Sequence, residues 1–123
     1  MNLRVARHTN ELEPLIHFYT QILGLKILGE FKNHNNYDGV FIGLPELNWH
    51  LEFTVSNQKP EHTPDKDDLL VFYCQNEAQF QKLQETFSQN KIAPIQAQNP
   101  YWKMNGITYN DPDNYRIVIA VKK

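Results

Sequence analysis

Glu11-Leu12-Glu13-Pro14-Leu15-Ile16-His17-Phe18-Tyr19-Thr20-Gln21-Ile22-Leu23-Gly24-Leu25 is the stretch on which the reading of this chain turns. Leu12, Leu15, Ile16, Tyr19, Ile22 and Leu23 recur at the spacing of one helical face, which predicts an amphipathic helix over 11–23. Asn10 is the expected N-cap, and Pro14 is tolerable only near the first turn. Gly24, free to adopt positive φ, is where the helix should stop. A strand-like run at 3–9 precedes it, and Lys26–Phe31, Tyr37–Leu44 and Trp49–Val55 follow as extended runs. Turns are expected at Asn33–Asn36 and Pro45–Asn48.

The same order then recurs. Residues 56–67 are polar, carry Pro60 and Pro64, and have the composition of a linker. Beyond them Leu69–Cys74 reads as a strand, and Glu77–Asn90 as a helix with Phe80, Leu83 and Phe87 on one side. Ile92–Gln96, Gly106–Tyr109 and Tyr115–Val121 supply three more strands. The element order β-α-β-β-β occurs twice, at an offset of roughly 65 residues, as in a duplicated supersecondary unit. An α+β domain of two tandem modules, 1–56 and 66–123, is therefore expected, since neither unit could easily bury its sheet alone.

Composition narrows the function. With 41% hydrophobic and 21% charged residues, the chain has the makeup of a globular protein and not of a disordered one. A net charge of −2 argues against nucleic acid or an anionic membrane as partner. No apolar run is long enough to span a bilayer and the N-terminus lacks a signal-peptide pattern, so a cytoplasmic location is expected. Cys74 is the only cysteine, which excludes an internal disulfide and a thiolate cluster. It should face the core as a small hydrophobe.

The acidic residue and Leu that open the first helix, the Phe18-Tyr19 pair, the closing Leu23-Gly24-Leu25 and the late Asp111-Pro112-Asp113-Asn114 turn together resemble the vicinal oxygen chelate superfamily. That superfamily includes glyoxalase I, extradiol dioxygenases, and fosfomycin and bleomycin resistance proteins. The resemblance runs from Leu3 to Val121 and implies a curled mixed sheet around a cleft, with the helices outside. In the Asp111–Asn114 turn Asn114 stands where relatives usually carry Gly, and Asn tolerates positive φ. The turn is architecture and not chemistry.

The resemblance also implies where a metal would sit. Its first-strand ligand position, usually His, falls on Arg4, the usual Glu on Glu52, and the two second-module positions on Leu69 and Val118. A divalent ion needs several O, N or S donors converging at about 2.0–2.6 Å, which one carboxylate and two aliphatic side chains do not supply. Arg4 also puts a permanent cation there. At an effective dielectric of about 20, two like charges about 4 Å apart repel by roughly 4 kcal/mol. No cofactor is expected.

Several other side chains bear on a site. Glu52 is expected to pair with Arg4, closing a bidentate ion pair or a polar anchor at the base of a ligand pocket. His50 lies one pleat from Glu52 and shares its face. His8, on the Arg4 face if the strand stays regular, could join His50 and Glu52 in a displaced site for a divalent metal such as Zn, Ni, Mn or Fe. His17, His34 and His62 read as solvated helix or turn residues. Arg7 falls on the Val5 face, normally packed under a helix, so either the strand bulges or its stem packs. Tyr101 and Trp102, in a loop after Asn99-Pro100, either cover a core edge or wall a planar-ligand pocket with Tyr73 and Phe41 opposite.

Phosphate loops, a His-Glu-x-x-His motif and a nucleophile elbow are missing, and Ser56 and Ser88 are the only serines. Three functions compete. The first is a metal-free protein of the bleomycin-resistance type that binds a small organic molecule through Arg4, His50, Glu52, Tyr73, Tyr101 and Trp102. The second is a metal-dependent lyase, transferase or dioxygenase using His8, His50 and Glu52. The third is a metal-free enzyme with Glu52 or His50 as general base. The superfamily further implies a symmetric homodimer.

Overall fold

The computed structural model describes residues 1–122, and contacts divide the chain into two units, Met1–His62 and the rest from Thr63 onward. In the first unit, β1 (Leu3–His8), β2 (Lys26–His34), β3 (Tyr37–Gly43) and β4 (Trp49–Val55) form one sheet in the order β1-β4-β3-β2. β1 runs parallel to β4, and the remaining pairs are antiparallel. The predicted first helix is split. α1 (Leu12–Ile16) is a single turn that continues as a π-helical turn over His17–Ile22.

The widening is visible in the backbone bond from Leu23 N to Phe18 O at 3.0 Å, five residues back. It changes which side chains point inward. Phe18 and Tyr19 are adjacent in sequence yet both buried, joined by Leu15, Ile22 and Leu23, while Leu12 and Ile16 are only half-buried. Tyr19 reaches the sheet, its ring 5.2 Å from that of Phe53, and Val40, Ile42 and Leu51 complete the core beneath it. Asn10 does not cap the helix. Glu11 holds that position, without a side-chain bond. Gly24 ends it at φ 92°.

β2 extends three residues past the expected end, to His34. Asn35 and Asn36, with φ of 51° and 69°, then make a tight two-residue hairpin turn of the kind that matches strand twist. Asn33 takes positive φ at a bulge, its amide donating to Asp38 Oδ1 at 2.8 Å.

In the second unit, β5 (Leu69–Cys74), β6 (Ile107–Asn110) and β7 (Arg116–Val121) form a sheet in the order β5-β7-β6, with β5 parallel to β7. The helix α2 (Glu77–Gln89) is capped by Asn76, whose side chain accepts from Gln79 N at 2.8 Å. It covers one face, where the Phe87 and Tyr109 rings stack at 3.8 Å and 6°.

Two expectations fail here. Ile92–Gln96 is not a strand: only Ile95 bridges to Thr108, and Pro94 beside it offers no backbone donor. The aromatic loop is instead a short helix, α3 (Pro100–Asn105), with Pro100 at its start and the Asn99 side chain accepting from Tyr101 N at 3.0 Å. The Asp111 turn is as expected, with Asp111 Oδ1 accepting from Asp113 N and Tyr115 N and Asn114 at φ 66°. Two β-α-β-β-β modules are thus present, the second with one strand reduced to a bridge. Among the described residues no helix is long and apolar enough to cross a membrane.

Candidate functional site

Phe53 and Leu51 face the helix, so strand alternation turns His50 and Glu52 to the opposite face of the first sheet. Arg4 sits opposite His50 in the parallel β1–β4 pairing and joins them there. Its Nε donates to His50 Nε2 at 2.9 Å, which leaves the imidazole proton on Nδ1. The expected bidentate pair with Glu52 does not form: Arg4 Nη1 is 4.0 Å from Glu52 Oε2. The guanidinium instead lies over Phe41, 4.7 Å from the ring centre, and Phe41 meets His50 edge-on at 5.7 Å. Phe41 thus belongs to this cluster as the platform for Arg4. The Arg4 side chain is 52% exposed and that of Glu52 15%.

His8 does not join this group. Its Nδ1 bonds Thr54 Oγ1 at 2.8 Å, and its Nε2 lies 3.0 Å from Ser56 Oγ and 2.9 Å from the Gln58 carbonyl. The first nitrogen thus ties β1 to β4, and the second ties it to the polar segment after β4. A site of His8, His50 and Glu52 is therefore not assembled, and among the described residues no group of three or more His, Cys, Asp or Glu is placed to hold a metal. His62, read from sequence as solvated, is half-buried and donates through Nε2 to the His8 carbonyl at 2.7 Å. His34 belongs to β2 and not to a turn. Arg7 lies on the helix side with its guanidinium 5.4 Å from the Phe53 ring centre, so the packed-stem reading holds and no bulge is needed. Val5, on the same edge strand, is 41% exposed and not covered.

In the second unit Leu69, Val71 and Tyr73 share the face away from α2, with Arg116, Val118 and Ala120 beside them. Val118 is fully buried there. Gly106 lies against it so closely that an added Cβ would stand 2.6 Å from Val118 Cγ1 and 3.3 Å from the Trp102 ring. Trp102 is 6.5 Å from Tyr73 and 4.8 Å from Tyr101, so the three aromatics form one run, with Tyr73 and Tyr101 each 52% exposed. Thr108, paired with Val118 across β6 and β7, is 2% exposed, and among the described residues its hydroxyl has no hydrogen-bond partner. Such an orphan typically costs about 1–3 kcal/mol.

A divalent ion does not fit these residues. Of Arg4, Glu52, Leu69 and Val118 only Glu52 offers a donor, and Arg4 holds a positive charge beside it. Cys74 offers none either: it is buried, and burial, then Glu77, push its thiol above its ordinary value.

The paired β-α-β-β-β modules define the vicinal oxygen chelate architecture, shared by glyoxalase I and the fosfomycin and bleomycin resistance proteins. Within it the chain belongs to the YycE-like family: residues 3–54 match the YycE-like N-terminal domain and residues 67–121 the YycE-like C-terminal domain. It is 40% identical over 122 residues to the uncharacterized protein YycE of Bacillus subtilis, covering 98% of this chain and 88% of that protein. The crystal structure of a Bacillus subtilis YycE protein of unknown function superposes with a TM-score of 0.88, covering 99% of this chain and 90% of that one. The trypanothione-dependent glyoxalase I of Leishmania major shares the fold at 19% identity and a TM-score of 0.77, over 98% and 86% of the two chains. TnmS3, an antibiotic binding protein from Streptomyces sp. CB03234, does so at 13% identity and 0.71, over 100% and 96%.

Proposed function

We propose that this protein binds a small organic molecule without a metal ion, using Arg4, His50 and Glu52 on the first sheet and Tyr73, Tyr101 and Trp102 on the second. The observation that carries the reading is the Arg4–His50 bond at 2.9 Å, with Glu52 at 4.0 Å. The resemblance puts Arg4, a cation of the protein's own, where metal-using members of the superfamily carry a ligand. Guanidinium, imidazole and carboxylate on an aromatic platform form a polar anchor, and exposed aromatic rings supply flat apolar area. Apolar surface with a few fixed polar groups is the usual makeup of a small-molecule site. TnmS3 is an antibiotic binding protein on the same fold.

Use of His50 as a general base is less favoured, because its accepting nitrogen is already taken by Arg4. A symmetric homodimer and a cytoplasmic location belong to the same proposal, and mass in solution at micromolar concentration tests the first.

The test is titration with a panel of planar aromatic natural products in the presence of EDTA, read by calorimetry and by tryptophan fluorescence. Saturable binding is expected, with Trp102 quenched more than Trp49, and loss of binding in Arg4→Ala and Trp102→Ala. Binding that requires added zinc or manganese, or consumption of the compound, would overturn the reading.

A further inference from the structure

Besides the residues of the preceding proposal, the second unit contains a two-compartment pocket built from β6, β7, α3 and the segment around Ile95. One compartment, of about 340 Å³, is walled by Pro94, Ile95, Trp102, Ile107 and Thr108. The other, of about 460 Å³, is lined by Lys66, Lys103 and Arg116 with the amides Gln98 and Asn110. The two share Ile95, Gln96, Ala97 and Lys103 and so adjoin.

Their chemistry differs sharply. Among the described residues no carboxylate lines either compartment, whereas the second brings together three cations from a turn, a helix and a strand. Among the described residues none of these three forms an ion pair. Arg116 is oriented by one bond, from Nη1 to the Gln96 carbonyl at 3.2 Å, which leaves its other donors available. Lys66 is surrounded in sequence by Asp65, Asp67 and Asp68, but Asp65 Oδ2 accepts from Asp67 N and Asp68 Oδ2 from Asp65 N, folding those carboxylates onto their own turn. The apolar compartment has a separate mark of incompleteness: Thr108 lines it, is 2% exposed, and has a hydroxyl without a partner among the described residues. Buried hydroxyls are ordinarily bonded.

We infer that this pocket takes an organic anion with an apolar body, the anionic group among Lys66, Lys103 and Arg116 and the body against Ile95, Ile107 and Trp102 near the Thr108 hydroxyl. A guanidinium flanked by ammonium groups suits a carboxylate or phosphonate through charge-assisted bonds. Gln98 and Asn110 add neutral donors at the rim. Of the six residues named in the preceding proposal the pocket includes only Trp102, so loss at Arg4 and loss at Arg116 are separate outcomes.

Calorimetry with 4-phenylbutyrate and the uncharged 4-phenylbutyramide tests it, with 4-phenylbutylphosphonate as a third arm to rank the two anions. The acid is expected to bind at least about tenfold tighter than the amide at low salt, the gap narrowing as salt screens the exposed lysines. Arg116→Gln with Lys103→Gln should remove that gap, and Arg116→Lys should keep most of it. Thr108→Val should weaken acid and amide alike while the melting temperature holds. Equal affinity for acid and amide, no saturable binding of either anion, or a preference that survives the double substitution would overturn the inference. Unchanged binding in Thr108→Val would overturn the two-compartment arrangement.

Discussion

Arg4 and His50 stand opposite each other on parallel neighbouring strands, and Arg4 Nε donates to His50 Nε2 at 2.9 Å while Phe41 lies 4.7 Å beneath the guanidinium. The imidazole therefore competes with Glu52 for the arginine and takes the shorter contact. Its geometry is fixed by main-chain pairing, since the two Cα atoms are register partners.

The stability carried by this contact should be small. Arg4 is half exposed, and exposed polar pairs contribute about 1 kcal/mol or less. A double-mutant cycle of Arg4→Gln and His50→Leu, followed by urea unfolding, is expected to give a coupling of about that size. A coupling several times larger would mean that the cluster holds the sheet together and is not a solvent-facing anchor.

Metal affinity should be low. After dialysis against zinc, nickel, manganese or iron(II) and desalting, elemental analysis is expected to find no stoichiometric ion. Arg4→His should not create a site, because Leu69 and Val118 still offer no donors. A stoichiometric ion that disappears in Glu52→Ala would contradict this.

Gly106 and Gly39 should respond differently to Ala. At Gly106 the new Cβ would meet buried Val118 Cγ1 at 2.6 Å and the Ile119 carbonyl at 3.0 Å, neither free to move. Overpacking of this kind costs about 1–3 kcal/mol. At Gly39 the clash, at 2.3 Å, is with the end of the half-buried Phe31 ring, which can swing away. Chemical denaturation should therefore rank Gly106→Ala as the more damaging.

Alkaline pH should weaken the second unit. Burial raises both the Cys74 thiol and the Tyr109 phenol above their ordinary values, with Glu77 adding to the effect on Cys74. For such groups the contribution is fully present below the unfolded-state value and is lost as pH rises through the folded one. Unfolding free energy is thus expected to fall once pH passes the ordinary thiol range and further near the phenol range. Ellman's reagent should meanwhile react slowly with native Cys74 at mildly alkaline pH and rapidly after denaturation. Cys74→Ala should remove the first part of the pH dependence, and a profile unchanged by it would disprove the assignment.

Much of the architecture was legible in local patterning. Gly24 closing the first helix, a turn within Asn33–Asn36, Asn114 after Asp111-Pro112-Asp113, and the twice-repeated element order all follow from short-range sterics and periodicity, which act within a few residues of the chain. The α3 helix, read from sequence as a loop, has a local signal in Asn99-Pro100, a cap followed by proline at the first helical position. What the sequence alone could not determine depends on partners far away along the chain. The π-helical turn exists because Phe18 and Tyr19 both pack inward, with Tyr19 reaching Phe53. The division of Arg4 between His50 and Glu52 depends on distances of 2.9 and 4.0 Å that strand alternation does not specify. The cationic pocket unites residues 66, 103 and 116, which no periodicity relates. Face and turn are written in neighbouring residues because backbone sterics are local, whereas partners and pockets are set by packing between distant elements and were decided only in the tertiary structure.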